Sequence, residues 1–244
     1  MNDSAEDPMK AFFELHRDLP REGPGEPADI HWAAHIAATP DNAEMADVGC
    51  GPGADIGSLL EVAPKGHVTA LDKVGQFVAA ARQRYVADAR VTVLQADMAR
   101  IMNSYDMIWC AGAVYFLGVT EALTRWRKSL QPGGVVAFSQ ACWFTDAPSA
   151  RSKEYWDREY PDMTDEAGVL AQVADARYEV LGTRRLSDAA WEAYFGPIDA
   201  RIAALRPEAD TALAQILDEA EEEAACWRAH RAEYGYLLTV ARPL

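Results

Sequence analysis

An α/β fold with a mostly parallel sheet is the architecture this sequence predicts, and three observations predict it. Short apolar runs of strand length recur along the chain. Helical patterns separate most of them. The first run collapses into a glycine loop, 44-EMADVGCGPGAD-55.

The strand candidates, in order, are 43–48, 67–72, 90–95, 105–110 and 134–140, followed by 178–186 and 235–242. The first ends at Asp47 and Val48, just ahead of Gly49, and the second closes on Asp72. Residues 75–87 (GQFVAAARQRYVA) have a helical pattern between the second and third strands, and 119–130 (VTEALTRWRKSL) between the fourth and fifth. The turn signal 131-QPGG-134 is expected to stop the latter helix before the fifth strand begins.

Two segments break the alternation: 143–168, after the fifth strand, and 187–233, which reads as wholly helical between the sixth and seventh. Ligands of open α/β sheets sit outside the carboxyl ends of the strands. Both segments leave from such ends and are expected to fold over the ligand face as cap insertions. In the second, Leu213, Ile216, Leu217, Ala220, Ala224 and Trp227 recur at helical spacing. Asp218, Glu219, Glu221, Glu222 and Glu223 fall on the other side, expected to be a solvated acidic face.

At 244 residues, half of them hydrophobic, the chain fits a single domain (1–244) with a full core. The formal net charge of −15 repels nucleic acid and anionic membrane surfaces, so neither is an expected partner. Cys50, Cys110, Cys142 and Cys226 lie far apart without a CxxC pair, which fits reduced thiols in a cytoplasmic protein. The polar stretch 1–10 lacks the basic and apolar regions of a signal peptide, and no apolar run is long enough to span a bilayer. His31 and His35 share a helix face at metal-ligand spacing, but no third ligand follows, so no metal is expected.

Residues 49–54, GCGPGA, satisfy a GxGxxA dinucleotide fingerprint. The charge around them distinguishes two ligand classes. A pyrophosphate needs helix-terminal N–H groups and no nearby carboxylate, whereas Asp47 favours a cationic ligand. Asp72 can accept both ribose hydroxyls of either class of cofactor. Asp97 is placed for an adenine amine or, equally well, for a helix N-cap.

DVGCGPG, LDK, QADM, YDMIWCAGAVYFLG and LQPGG occur in the order and spacing of the class I S-adenosylmethionine-dependent methyltransferases, and the chain resembles that family over about 43–140. The closing 234–244 segment resembles the family's seventh strand, so the resemblance implies a Rossmann-like seven-stranded sheet with the last strand antiparallel. Residues 21–27, 109–118, 139–149 and 156–163 are similar to a bacterial group of small-molecule methyltransferases. By position, that similarity implies a cofactor site of Arg21, Asp47, Gly49, Gly51, Asp72, Lys73, Asp97 and Met98. Arg21 would pair with the cofactor's carboxylate, and residues 1–40 would form a helical lid.

The segment after the fourth strand, where acceptors dock in this fold, lacks the NPPY-type tetrad that holds a planar amide. Its small residues followed by aromatics suit a small acceptor. Tyr115, Trp143 and Tyr194 are the expected substrate contacts, and Tyr115 or Tyr160 is placed to assist proton removal. The expected function is methyl transfer from S-adenosylmethionine to a small molecule, by a monomer or homodimer. Two alternatives remain: a dinucleotide-dependent oxidoreductase, and a non-catalytic S-adenosylmethionine-binding protein. The acceptor atom (N, O, S or C) stays open.

Overall fold

The computed structural model describes residues 6–244; the start of the 1–10 stretch and of the expected lid, residues 1–5, lies outside the described residues. In chain order come α1 (Glu6–Leu15), α2 (Pro27–Ala37), β1 (Glu44–Val48), α3 (Ile56–Val62), β2 (His67–Asp72), α4 (Gly75–Arg84) and β3 (Val91–Gln95). They are followed by β4 (Tyr105–Ala111), α5 (Val119–Trp126), β5 (Leu130–Trp143), α6 (Ala150–Glu159) and α7 (Glu166–Asp175). The chain closes with β6 (Tyr178–Arg185), α8 (Asp188–Leu205), α9 (Thr211–His230) and β7 (Tyr234–Pro243).

One seven-stranded sheet in the order β3-β2-β1-β4-β5-β7-β6 organises these elements. β1 is parallel to β2 and β4, and β4 to β5, whereas β7 runs antiparallel to both β5 and β6. The strand order reverses between β1 and β4, so the crevice at their carboxyl ends is the natural ligand position. Strands covered on both faces need near-continuous apolar sequence. Met45, Val48, Val68, Ala70, Met107 and Ile108 accordingly have at most a trace of exposed surface. One apolar layer forms under α5 and α7, and a second under α2 and α3.

A third core belongs to the cap. It is built from Leu15 and Leu19 near α1, Tyr155 of α6, Trp191, Tyr194 and Phe195 of α8, and Leu217 and Trp227 of α9. Trp191 stacks on Trp227 at 5.0 Å and on Phe195 at 5.7 Å, contacts that add to the burial of these large rings. The late insertions are therefore largely helical and share a core of their own, on which α1 packs.

Three local expectations are corrected. Residues 131–134 are no turn ahead of β5. Pairing begins at Leu130 opposite Tyr105, bulges through QPGG with Gly133 at φ +85°, and resumes at Val135 opposite Met107. The helix from 119 ends at Trp126, after which a tighter turn lets Arg127 donate to the carbonyls of Ala176 and Arg177. The helix from 75 ends at Arg84, so that Tyr85 turns away and its hydroxyl donates to the Gly53 carbonyl at 3.2 Å. A fourth correction falls in the cap. Glu223 leaves the solvated face of α9, because its position lies in line with Ile216, Ala220 and Trp227 on the packed side.

Polar contacts tie α2 to β6 and the segment before it to α8. Asp29, 1% exposed, accepts the Glu26 amide at 3.0 Å and the Arg184 guanidinium from β6 at 2.5 Å. The Gly25 amide donates to the Ala190 carbonyl at 3.1 Å. Removing one member of a buried pair leaves the other charge unpaired, which is among the larger single-residue losses. Arg184→Met is expected to lower unfolding stability by about 3 kcal/mol, read from urea midpoints at neutral pH.

Candidate functional site

The chain leaves β1 into a turn that L side chains resist. Gly49 has φ +75°, and a Cβ there would lie 2.6 Å from the Ala113 Cβ; Gly51 has φ +52°. The loop is fastened to the neighbouring strand. The amides of Gly49 and Cys50 both donate to the Leu71 carbonyl, at 2.8 and 3.0 Å. The Gly51 amide donates to Asp72 Oδ2 at 2.9 Å, Pro52 has no N–H, and the Gly53 amide donates to the Cys50 carbonyl at 2.9 Å. Every amide from 49 to 53 is thus committed within the protein, leaving no nest of N–H groups for a phosphate.

Carboxylates surround this loop. Asp47 is 3% exposed and its Oδ2 is buried without a hydrogen-bond partner. Desolvation, then the charges of Asp55 and Asp72, push its carboxyl well above the usual range, with Arg21 opposing. Asp55 occupies the N-terminus of α3, where a pyrophosphate would dock. Its oxygens accept Trp109 Nε1 at 2.9 Å and Arg21 Nη2 at 3.3 Å. Glu22 lies over Gly51, where an added Cβ would be 3.3 Å from the Glu22 Cγ, and pairs with His16 at 2.6 Å. Burial raises the Glu22 carboxyl despite that pair, and the Asp72 charge adds to the rise.

Asp72 stands at the carboxyl end of β2, and its second oxygen accepts the Val74 amide at 2.8 Å. Each oxygen keeps a further lone pair for a ligand hydroxyl. Lys73 beside it is exposed, with its carbonyl accepting from Gln95 at 3.2 Å. Asp97 caps the short helix 98–100 by accepting the Ala99 amide at 2.8 Å, one of the two roles weighed for it. Met98 is half-buried, and its methyl would lie 3.6 Å from a Cβ on Gly49. Arg21 sits over the loop with its Nε donating to the Gly23 carbonyl, partly committed before any ligand arrives. The structure therefore groups Arg21, Asp47, Gly49, Gly51 and Asp72 around the crevice. The Met98 methyl approaches the same Gly49.

Beyond the loop, β4 ends at a second left-handed turn. Gly112 has φ +63°, its amide donates to Ser139 Oγ at 2.8 Å, and a Cβ there would lie 3.1 Å from the Tyr236 ring. Tyr115 follows, 41% exposed, with its ring 6.0 Å from that of Tyr160. Trp143, at the end of β5, meets Tyr234 edge-on at 6.0 Å, and Tyr194 is buried against Phe195 at 5.1 Å. Burial pushes the Tyr115 phenol up to about 12 and raises Tyr160 as well. Neither is set to be a phenolate at neutral pH, so both are better placed to donate hydrogen bonds than to take a proton. Trp191 and Phe195 pack inside the cap core, and His31 pairs with Glu61 at 3.1 Å.

Sequence reasoning missed Asp55, Glu22 and the Trp109 indole, which complete the acidic wall. Asp55 had a local signal, an acid opening the helix after the glycines. Trp109 and Glu22 had none, because only strand packing and the path of residues 16–26 bring them to the loop.

Residues 45–134 match the family model described as a methyltransferase domain. The chain is 25% identical over 179 residues to a trans-aconitate 2-methyltransferase of Azoarcus sp. strain BH72, a match covering 54% of this chain. It is 36% identical over 102 residues to a malonyl-(acyl-carrier protein) O-methyltransferase of Enterobacter lignolyticus, covering 40% of this chain. The matched stretches span 66% and 38% of those relatives, under two thirds of either one's length. In three dimensions the chain is similar to an S-adenosylmethionine-dependent methyltransferase from Geobacter sulfurreducens, solved with S-adenosyl-L-homocysteine. That match has a TM-score of 0.79 and 18% identity, covering 96% of this chain and 98% of the other.

The raised Asp47 carboxyl has a linkage consequence. A folded-state value above the unfolded one stabilises below the ordinary carboxylate range, and that contribution is lost as pH rises through the folded value. Relative to Asp47→Asn, the ligand-free wild type is expected to lose stability as pH rises above the ordinary carboxylate range of about 4. Urea unfolding of the two proteins in parallel reads this, and superimposable pH profiles would refute it.

Proposed function

We propose that this chain, a class I methyltransferase by its fold and by the domain match over residues 45–134, transfers a methyl group from S-adenosylmethionine to a small-molecule acceptor. One observation carries the reading: the glycine loop has spent its amides internally and is walled by Asp47, Asp55, Asp72 and Glu22. Such a cradle repels a pyrophosphate and suits a ligand with an ammonium, a sulfonium and ribose hydroxyls. S-adenosylmethionine has these groups, and the orphaned Asp47 Oδ2 is matched to its positive end. That wall disfavours the dinucleotide-dependent oxidoreductase.

When bound, the cofactor supplies an electrophilic methyl group on sulfur. The residues of this chain bind and orient it. Asp72 accepts the ribose hydroxyls and Asp47 faces the cationic end. Gly49 and Gly51 allow close approach, and Lys73, Asp97 and Met98 border the adenine. Arg21 retains N–H groups for a carboxylate beyond the ones given to Gly23 and Asp55. Tyr115, Trp143, Tyr194 and Tyr160 form the acceptor side, where they orient the nucleophile and exclude water. Orientation is the main contribution required, since aligned reactants reach effective molarities of about 10⁵–10⁸ M.

Residues 1–244 act as one methyltransferase domain, with 1–40 as a lid and 143–168 and 187–233 as the cap. The formal charge of −15 supports a reading without nucleic acid or membrane partners, in the cytoplasm, as monomer or homodimer. No described helix is long and apolar enough to cross a membrane.

Calorimetric titration with S-adenosylmethionine, S-adenosylhomocysteine and NAD tests the cofactor. The first two are expected to saturate and NAD not; NAD binding alone would overturn the reading. Methyl turnover with any small acceptor separates an enzyme from a non-catalytic binder. Asp72→Ala is expected to weaken S-adenosylhomocysteine by about 1–3 kcal/mol, roughly 5- to 150-fold. Unchanged affinity would remove Asp72 from the site.

A further inference from the structure

Residues 16–26 cross the glycine loop as a strap that is held at several points. Phe13 of α1 meets Phe77 of α4 edge-on at 6.1 Å, which fixes where the strap begins. The Pro20 carbonyl accepts Arg84 Nη1 from the end of α4 at 3.4 Å, and the Gly25 amide donates to the Ala190 carbonyl of α8. Between these ties the chain sets Arg21 and Glu22 over the loop. The Arg21 guanidinium reaches Asp55 Oδ1 at 3.3 Å, and the Glu22 Cγ would lie 3.3 Å from a Cβ on Gly51. Two neighbouring side chains of opposite charge are thus laid on one loop.

Glu22 is oriented from behind. Its Oε2 contacts His16 Nδ1 at 2.6 Å, and the His16 ring is itself stacked on Phe12 at 3.9 Å. Its other oxygen, Oε1, is buried and has no hydrogen-bond partner among the described residues.

The other acids of the wall divide into committed and orphaned. Asp72 accepts the Gly51 and Val74 amides, and Asp55 accepts from Trp109 and Arg21. Asp47 Oδ2 is the second orphan, on a side chain 3% exposed near the end of β1. One orphaned oxygen therefore belongs to the strand that enters the loop, and the other to the strap that crosses it. A carboxylate oxygen buried without a donor is costly, and a bound group rich in donors removes that cost.

We propose that Glu22 holds the ammonium of the amino-acid end of S-adenosylmethionine, with His16 as its positioning residue. The inference rests on the methyltransferase reading and adds a specificity-determining residue to that site. An ammonium has three N–H donors, enough for Glu22 Oε1 and Asp47 Oδ2 together. The carboxylate of the same amino-acid end is carried on the same carbon, and Arg21 is the neighbour of Glu22 in the chain. The strap thereby reads both charges of a zwitterion, while Asp72 and the glycines deal with the nucleoside. Ligands that keep the nucleoside and lose the ammonium should be indifferent to Glu22.

The test titrates the full chain calorimetrically with three ligands. They are S-adenosylhomocysteine, its deaminated analogue 5′-deoxy-5′-(3-carboxypropylthio)adenosine, and 5′-methylthioadenosine, which lacks the whole amino-acid end. Glu22→Gln is expected to weaken S-adenosylhomocysteine about 10-fold, the loss of one charge-assisted contact, and to leave the other two ligands unchanged. Unchanged binding of those two also shows that the variant is folded. His16→Ala is expected to weaken S-adenosylhomocysteine alone, and to add nothing when Glu22→Gln is already present, because it acts through that carboxylate. Equal weakening of all three ligands by Glu22→Gln, or weakening of none, overturns the proposal and leaves the methyltransferase reading in place. Additive losses in the double variant overturn the role of His16. Failure of the wild type to bind any of the three overturns both readings together.

Discussion

The Leu71 carbonyl accepts hydrogen bonds from both Gly49 and Cys50, and much of the molecule's character depends on that shared acceptor. It pins the loop after β1 to the end of β2 and turns the Gly51 amide onto Asp72. A glycine loop that keeps its amides free binds phosphate; one that spends them on the neighbouring strand cannot. The loop then serves as a close-approach surface, and ligand selectivity passes to the side chains around it. Those side chains are mostly acidic, so the field in the crevice opposes a phosphate.

β5 and β6 run parallel to the sheet's central strands, so the segments that follow them emerge on the same side as the glycine loop. α8 and α9 fold back there, and α1 packs on them through a core of stacked indoles and phenyl rings. The path of residues 16–26 between the cap and the loop lays Arg21 and Glu22 across the crevice. Asp29 and Arg184 lock the following helix to β6, which keeps that crossing segment in place. Ligand site and cap are thus parts of one packing arrangement.

Much of this was legible in the residues. Strand positions followed from apolar runs with glycine or acid ends, because a parallel sheet covered on both faces tolerates little else. The placing of Asp47, Gly49, Gly51 and Asp72 at strand ends and in the loop was readable because it depends on local chain geometry. The misreadings had equally physical causes. QPGG has the composition of a turn, yet pairing with β4 draws it into a bulge within β5. Glu223 sits in a run of acids that looks solvated, and only the rotation of α9 against its neighbours shows that it faces inward. Trp109 looked like a strand residue of the core and is one, but its indole also reaches Asp55 across the switch point.

The sequence by itself determined the order of the strands and the glycine loop, since these depend on short-range pattern and on backbone conformations that few residues adopt. The tertiary structure decided which charges meet. Asp55 with Arg21 and Trp109, Glu22 over Gly51 and beside His16, and Asp29 with Arg184 are encounters that strand and helix packing, not the local pattern, brings about. Electrostatics depends on distance and burial rather than on order along the chain, so no local reading of the residues contains those encounters.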